Sequence, residues 1–418
     1  MRWFRWVGAT AIGVAVVTAC QERLTSPAQC PELCPGGSPE VFDTVVSAVA
    51  GLDSSFPTVA EFASGGYVNR GRGPALLVSN GFVASEDRAV YRFAPRSDQV
   101  RVRDTLRTFT IDSAAINLTL VARDTLVGGL KVFVYRIPSG VDSTVSFTGI
   151  DPLLTSASLI DSIVVPDSVH TGTLTAKLDA SEVGRVAFSG TDSTLAIALG
   201  LTANSPTGIR VGSLAAGTGA TFTSFVTVDV PDTTTAIKHP ALSRATAFNT
   251  FVTQNPIVPV DSLLTVGGEP SSRALVRFGL SNQFLDSASI IRATLEISPV
   301  RPIYSLPGDP SILQALPAVS DIGAKSPISA DTSVARQSTD TLPAVQADTL
   351  RIEVTRIVQI WQGSRERPQS IFLRVAPEAA TFARPQFYST RSHAPDPSVL
   401  VAPRLRITYQ RSFPFENP

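Results

Sequence analysis

Hydrolysis through a nucleophile needs a serine or cysteine beside a base and an orienting carboxylate, and the base is the scarce part in this chain. Its 418 residues include three histidines, His170, His239 and His393. His170 ends Pro166-Asp167-Ser168-Val169-His170, His239 stands directly before Pro240, and His393 precedes Ala394-Pro395. None lies in the Gly-x-Ser-x-Gly turn that presents a hydrolase serine, so all three read as surface-loop histidines. Paired carboxylates are the other route, as in glycoside hydrolysis, and Glu61, Glu86, Asp87, Glu269, Glu296, Glu353 and Glu378 are available. No spacing joins two of them. Solvated or arginine-paired roles are the expectation, no catalytic residue is assigned, and the chain is read as a non-enzyme. No Asp-x-Asp-x-Asp-Gly loop offers clustered oxygens for calcium; a structural calcium held by loop carbonyls and one Asp stays open, and no other cofactor or metal site is expected. Gly65-Gly66 and Gly71-Arg72-Gly73 lack the βαβ context of a phosphate loop and read as turn glycines.

Four arginines carry the remaining polar chemistry. Arg88, Arg92, Arg273 and Arg277 recur in two similar segments, and guanidinium groups match carboxylates bidentately. They could bind uronate sugars, or they could pair with Asp or Glu on neighbouring strands, which is the blander reading. Trp361 could offer a sugar-stacking plane, although its place on the apolar side of a short helix suits core packing better. Tyr67, Tyr304 and Tyr388 are further candidates for exposed aromatics.

The elements that must position these residues are strands. Short apolar, β-branched runs are punctuated by Asp104-Thr105, Asp112-Ser113, Asp124-Thr125, Asp142-Ser143 and Asp161-Ser162, and Asp and Ser side chains favour turns by bonding nearby backbone. The order of runs also repeats. Leu76-Leu77-Val78-Ser79-Asn80 and Arg88-Ala89-Val90-Tyr91-Arg92-Phe93 match Leu263-Leu264-Thr265-Val266-Gly267 and Arg273-Ala274-Leu275-Val276-Arg277-Phe278. Later matches pair Ser113–Leu120 with Ser287–Leu295, Leu178–Val183 with Ile352–Trp361, Thr194–Leu199 with Ser370–Val375, and Phe222–Val228 with Arg404–Tyr409. Self-similarity of this kind marks two related units.

We therefore expect an all-β fold of two tandem antiparallel β-sandwiches, jelly-roll-like, each with one short helix. They span 41–232 and 240–411, joined by a linker over 233–239 and followed by a tail over 412–418. Period-two alternation puts Ala89, Tyr91 and Phe93, and likewise Ala274, Val276 and Phe278, on the buried face, with the arginines opposite. Thr355 to Trp361 reads as a helix of about two turns, with Thr355 near its cap and Gly363 after its end. Pro299 to Val345, rich in Pro, Ser, Ala and Asp, reads as a long excursion with few regular elements.

The chain opens with Arg2 and Arg5, an apolar run from Trp6 to Val17, and Val17-Thr18-Ala19-Cys20. The apolar run falls well short of the roughly 20 residues that span a bilayer. This order resembles the leader and lipobox of bacterial lipoproteins, which implies a signal peptide over 1–19, lipidation of Cys20, and a mature chain anchored in the cell envelope. Gln21 after Cys20 points to the outer membrane. Residues 20–40 then form a flexible tether. Cys30 and Cys34, the other two cysteines, fit a small disulfide loop in an oxidising compartment; a zinc site would need further ligands nearby, and none stand there. Lys plus Arg equal Asp plus Glu at 35 each, so no basic excess attracts nucleic acid.

Taken in order, the Arg-x-Leu-x-Arg-Phe-like strand, the Ala-x-Leu strand, Val354-Thr355-Arg356-Ile357-Val358-Gln359-Ile360-Trp361, the Phe372-Leu373 strand and Leu405-Arg406-Ile407-Thr408-Tyr409 resemble the DNRLRE-type domain, a bacterial extracellular β-sandwich related to carbohydrate-binding modules. The second unit carries nearly all of the pattern; the first lacks the helical tryptophan. Both have Ala94 and Gly279 where the family places Asp after the phenylalanine. The resemblance implies a noncatalytic module that binds extracellular polysaccharide. The alternatives are a scaffold for a partner envelope protein and, third, a polysaccharide-active enzyme.

Overall fold

The computed structural model describes residues 41–48, 61–66, 68–95, 99–102, 104–186, 194–228, 237–256, 258–260, 262–269, 271–321, 329–334, 338–392 and 400–411. The leader with Cys20, the tether with Cys30 and Cys34, Tyr67, linker residues 233–236, His393 and the tail lie outside them.

The chain is all-β and sandwich-like, as the punctuated runs predict, with a few short helices. Alternation writes its strands. Along Thr105–Arg123, Ala114, Ile116, Leu118, Leu120 and Ala122 are buried at every second position, the pattern of a strand with one face on a core. Two large cores result. The first gathers Tyr91, Phe93, Ile116, Phe222 and Phe251, and the second Phe278, Trp361, Phe372, Phe387 and Ile407. Phe93 and Phe278 are both buried, at 0% and 4% exposure, one in each core.

Around the first core the strands run Ile237–Thr253, Thr221–Val228, Thr105–Arg123, Thr207–Gly212, Ala75–Phe82 and Ser85–Phe93. Ile237–Thr253 then pairs with Ser85–Phe93, Thr250 opposite Val90, so the path closes on itself. From Ser85–Phe93 the sheet continues through Ala196–Thr202 and Lys131–Ile137 to Leu159–Val164, so an edge remains there. Around the second core, one sheet orders Val41–Ser47, Arg404–Arg411, Ala288–Ile297 and Leu350–Glu353, and another centres on Ser311–Ser320, Ser370–Ala376, Ser272–Arg277 and Glu61–Gly65.

The pairing does not follow the expected division at 232 and 240. Val41–Ser47 pairs along its whole length with Arg404–Arg411, and Glu61–Gly65 with Ser272–Arg277, so the first described strands belong to the second body. Conversely, Ile237–Thr253 pairs with Thr221–Val228 and Ser85–Phe93 in the first. Each half's leading strand is thus lent to the other half. Alternation identifies a strand and its buried face but carries no information on which sheet accepts it.

Three further expectations meet corrections. The outer face of Ser85–Phe93 is covered: Val90 packs with Ile137, Ile150, Ala196, Ala198 and Val252 in a third cluster beneath the short helix Phe147–Ile150. Within the Pro299–Val345 stretch, Ser311–Ser320 is a ten-residue strand at the heart of a sheet. Its Pro317 is tolerated because one neighbouring strand pairs through Gln314 and another resumes at Ala318, leaving the residue without an N–H where none is required on that side. The helix Thr355–Gly363 forms as expected and buries Ile357, Val358 and Trp361, but its N-cap is Val354 and Gly363 closes it from inside. Thr355 instead accepts a hydrogen bond from the Ala293 N–H at 2.7 Å, tying the helix to the sheet. In the first body the corresponding helix is Ala180–Val186, but with Phe147–Ile150 and Asn282–Asp286 also helical, each body carries two short α-helices among the described residues where one was expected.

Candidate functional site

The four recurrent arginines are engaged inside the protein. Arg273 makes two bonds to Glu378, at 2.6 and 2.8 Å, and lies 5.3 Å from the Phe372 ring centre. Arg277 makes two to Asp321, at 2.7 and 2.8 Å. Arg88 pairs with Glu86 and with Asp151 and packs on Phe147. Arg92 donates to the Val141 carbonyl at 3.0 Å and packs on Phe248. For three of the four, the carboxylate partner sought in a ligand is already present in the chain. Of the candidate carboxylates, Glu296 and Glu353 likewise meet arginines, Arg404 and Arg292. Trp361 is 1% exposed, a core residue rather than a sugar platform, while His170 is exposed.

What the sequence could not bring together is the boundary between the two bodies. Phe382 of the second body joins the first core, edge-on to Phe82 at 5.3 Å and with its ring tip against Gly208, where any Cβ would meet it at 2.6 Å. Arg210 pairs with Asp309 across the boundary, and the Thr125 N–H donates to the Pro307 carbonyl at 3.1 Å. Beside these contacts opens a cleft of about 670 Å³, within the range of small-ligand sites. Phe82, Val83, Ala84, Asn255 and Pro256 line it from the first body; Arg301, Pro302, Ile303, Tyr304 and Arg384 line it from the second.

Two features give this cleft chemistry. Arg301 is exposed, and among the described residues no carboxylate pairs with it; three residues on, Tyr304 is 41% exposed. A cation and an aromatic face therefore line the same cleft, the cation without a carboxylate partner among the described residues. Opposite them, Val83 and Ala84 form a two-residue turn with φ of 52° and 56°. That left-handed turn normally takes Asn-Gly, and a β-branched residue there is strained. The Asn255 side-chain amide braces it by donating to the Ala84 carbonyl at 3.0 Å.

Arg384 forms the floor. Its side chain is 7% exposed, and one terminal nitrogen lies 2.8 Å from Glu269 and 3.8 Å from Asp87, both fully buried. The other donates to the Asn255 carbonyl at 2.9 Å, while its Nε finds no partner. Asp87 accepts from the Ser79 hydroxyl at 2.6 Å. Burial raises the Asp87 carboxyl against the opposing pull of Arg384, Ser79, Thr253 and Arg88. It pushes Glu269 up to about 8, with Asp87 adding to the rise and Arg384 and Arg70 opposing it. Two of the seven candidate carboxylates do therefore meet, in a sealed place.

Arg301 and Arg384 are missing from the sequence reading. One signal was available: both precede a proline, in Arg301-Pro302 and Arg384-Pro385, and a residue before proline is held extended rather than helical. Among the described residues no group of three or more His, Cys, Asp or Glu gathers to hold a metal ion. No helix there is long and apolar enough to cross a membrane. Neither the protein-family models nor the curated proteins yielded a match to this chain, so the DNRLRE resemblance rests on its motifs.

Proposed function

We propose that this chain is a lipid-anchored protein of the cell envelope, held through Cys20 in the outer membrane, and that it acts as a noncatalytic module binding acidic extracellular polysaccharide. In this reading its two bodies are DNRLRE-type, jelly-roll-like sandwiches, and the ligand lies in the cleft between them. The observation that carries it is the pairing of exposed Arg301 with exposed Tyr304 in a cleft of ligand size, while the recurrent arginines are occupied internally. An aromatic face complements the C–H face of a pyranose ring, and a guanidinium with no carboxylate partner among the described residues selects a carboxylated sugar.

The test is a glycan-array screen of the soluble chain from about Ser38, with calorimetry on each hit. Acidic glycans should bind, weaken as salt rises, and lose roughly tenfold or more in affinity on Arg301→Ala. No binding to any glycan, with one envelope protein co-purifying, would overturn this reading in favour of the scaffold role. Replacing Cys20 with Ala should leave an uncleaved or released protein; unchanged lipid labelling would remove the anchor from the account.

A further inference from the structure

Behind Arg384, beneath the cleft, two carboxylates and this one guanidinium are held out of water. Asp87 comes from the strand Ser85–Phe93 of the first body, whereas Glu269 comes from a turn of the second and Arg384 from the loop just before the strand Gln386–Tyr388. With both acids ionised this node carries a net negative charge, and a buried uncompensated charge is strongly disfavoured. One bound proton makes it neutral.

Burial raises both carboxyls, and we assign the proton to Glu269 because Asp87 Oδ2 accepts the Ser79 hydroxyl at 2.6 Å, as an ionised carboxylate does, although Asp87 Oδ1 has no hydrogen-bond partner among the described residues. Neither oxygen of Glu269 has a hydrogen-bond partner of good geometry, although Arg384 approaches Oε2 to 2.8 Å. The other charged groups acting on the node are Arg70, on Glu269, and Arg88, on Asp87. Arg88 is committed to Glu86 and Asp151.

The node is also wired to the cleft wall. Arg384 donates to the Asn255 carbonyl at 2.9 Å, and Asn255 in turn holds the strained Val83-Ala84 turn through its side-chain amide. We propose that Asp87, Arg384 and Glu269 form a proton-operated latch between the two bodies: with one proton bound the node is neutral and holds the boundary closed, and its release leaves a buried negative charge that loosens the boundary and the cleft wall. Burial pushes the Glu269 carboxyl up to about 8, which puts release of the proton in the mildly alkaline range. The latch is independent of what the cleft binds.

The full chain and its Glu269→Gln variant can be compared from about pH 6 to about pH 9.5 by hydrogen–deuterium exchange, with protection corrected for the intrinsic pH dependence of exchange. In the native chain, protection of residues 249–256 and 380–388 should fall about tenfold or more across the titration of Glu269, and the infrared band of a protonated carboxyl should vanish over the same range. In Glu269→Gln the amide is neutral at every pH, so protection should stay high and the titrating band should be missing. Parallel loss of protection in both proteins would overturn the latch, as would a titrating carboxyl band that survives the substitution. Should the variant fail to fold, the native chain alone decides: a protonated carboxyl titrating near pH 8 supports the latch, and its absence overturns it.

Discussion

Phe278 and Trp361 lie 6.5 Å apart between ring centres in the second core, so the phenyl ring fills space that no neighbour can reclaim without moving the short helix. Phe278→Ala should therefore destabilise the second body by roughly 3–5 kcal/mol, read as a shift in denaturation midpoint; an unchanged midpoint would contradict the packing. Glu269 brings pH into the stability of the boundary. Its carboxyl is raised in the folded chain from the ordinary 4.5 to about 8, so its contribution is fully present below the unfolded value and is lost as pH rises through the folded one. Melting temperature should fall between about pH 5 and about pH 8 through this group, and the Glu269→Gln profile should be flatter over that window. Much of the residue scale was legible beforehand: Ala89, Tyr91 and Phe93, with Ala274, Val276 and Phe278, are buried as alternation requires. The arginines were legible only as a choice between ligand and internal carboxylate. Asp321 and Glu378 meet them across 44 and 105 residues of chain, a distance over which spacing says nothing.

Among the elements, the turn at Val83-Ala84 is the least natural for its sequence. Both residues have positive φ, which costs L-residues about 1–2 kcal/mol each. Replacing the pair with Asn-Gly should raise stability by roughly 1–2 kcal/mol, measured by denaturant unfolding. If Val83 shapes the cleft, the same change should weaken ligand affinity, and a stabilised protein with unaltered affinity would remove the turn from the site. The helix Thr355–Gly363 was visible because its apolar residues recur at helical spacing. The strand Ser311–Ser320 was hidden because Pro310 and Pro317 mark a loop by composition, whereas the gap between its partner strands accommodates the second proline.

For the molecule as a whole, the exchange of leading strands makes each body depend on both halves of the chain. A fragment cut at 41–232 lacks the strand Ile237–Thr253 that closes the first body and carries Val41–Ser47 without its partner. It should show no cooperative thermal transition, while a fragment of about 66–256 should retain one; cooperative melting of 41–232 would contradict the exchange. The repeat led to the expectation of two units and the structure has two large cores, but alternation alone could not assign their edges, and the cleft exists only where the assembled bodies meet. The most direct measurement is calorimetric titration of one acidic oligosaccharide into the native chain, Arg301→Ala and Tyr304→Ala at two salt concentrations. Salt-sensitive binding by the native chain, reduced about tenfold or more in both variants with their melting unchanged, is the predicted result; equal affinity in all three proteins would contradict a ligand seated in this cleft.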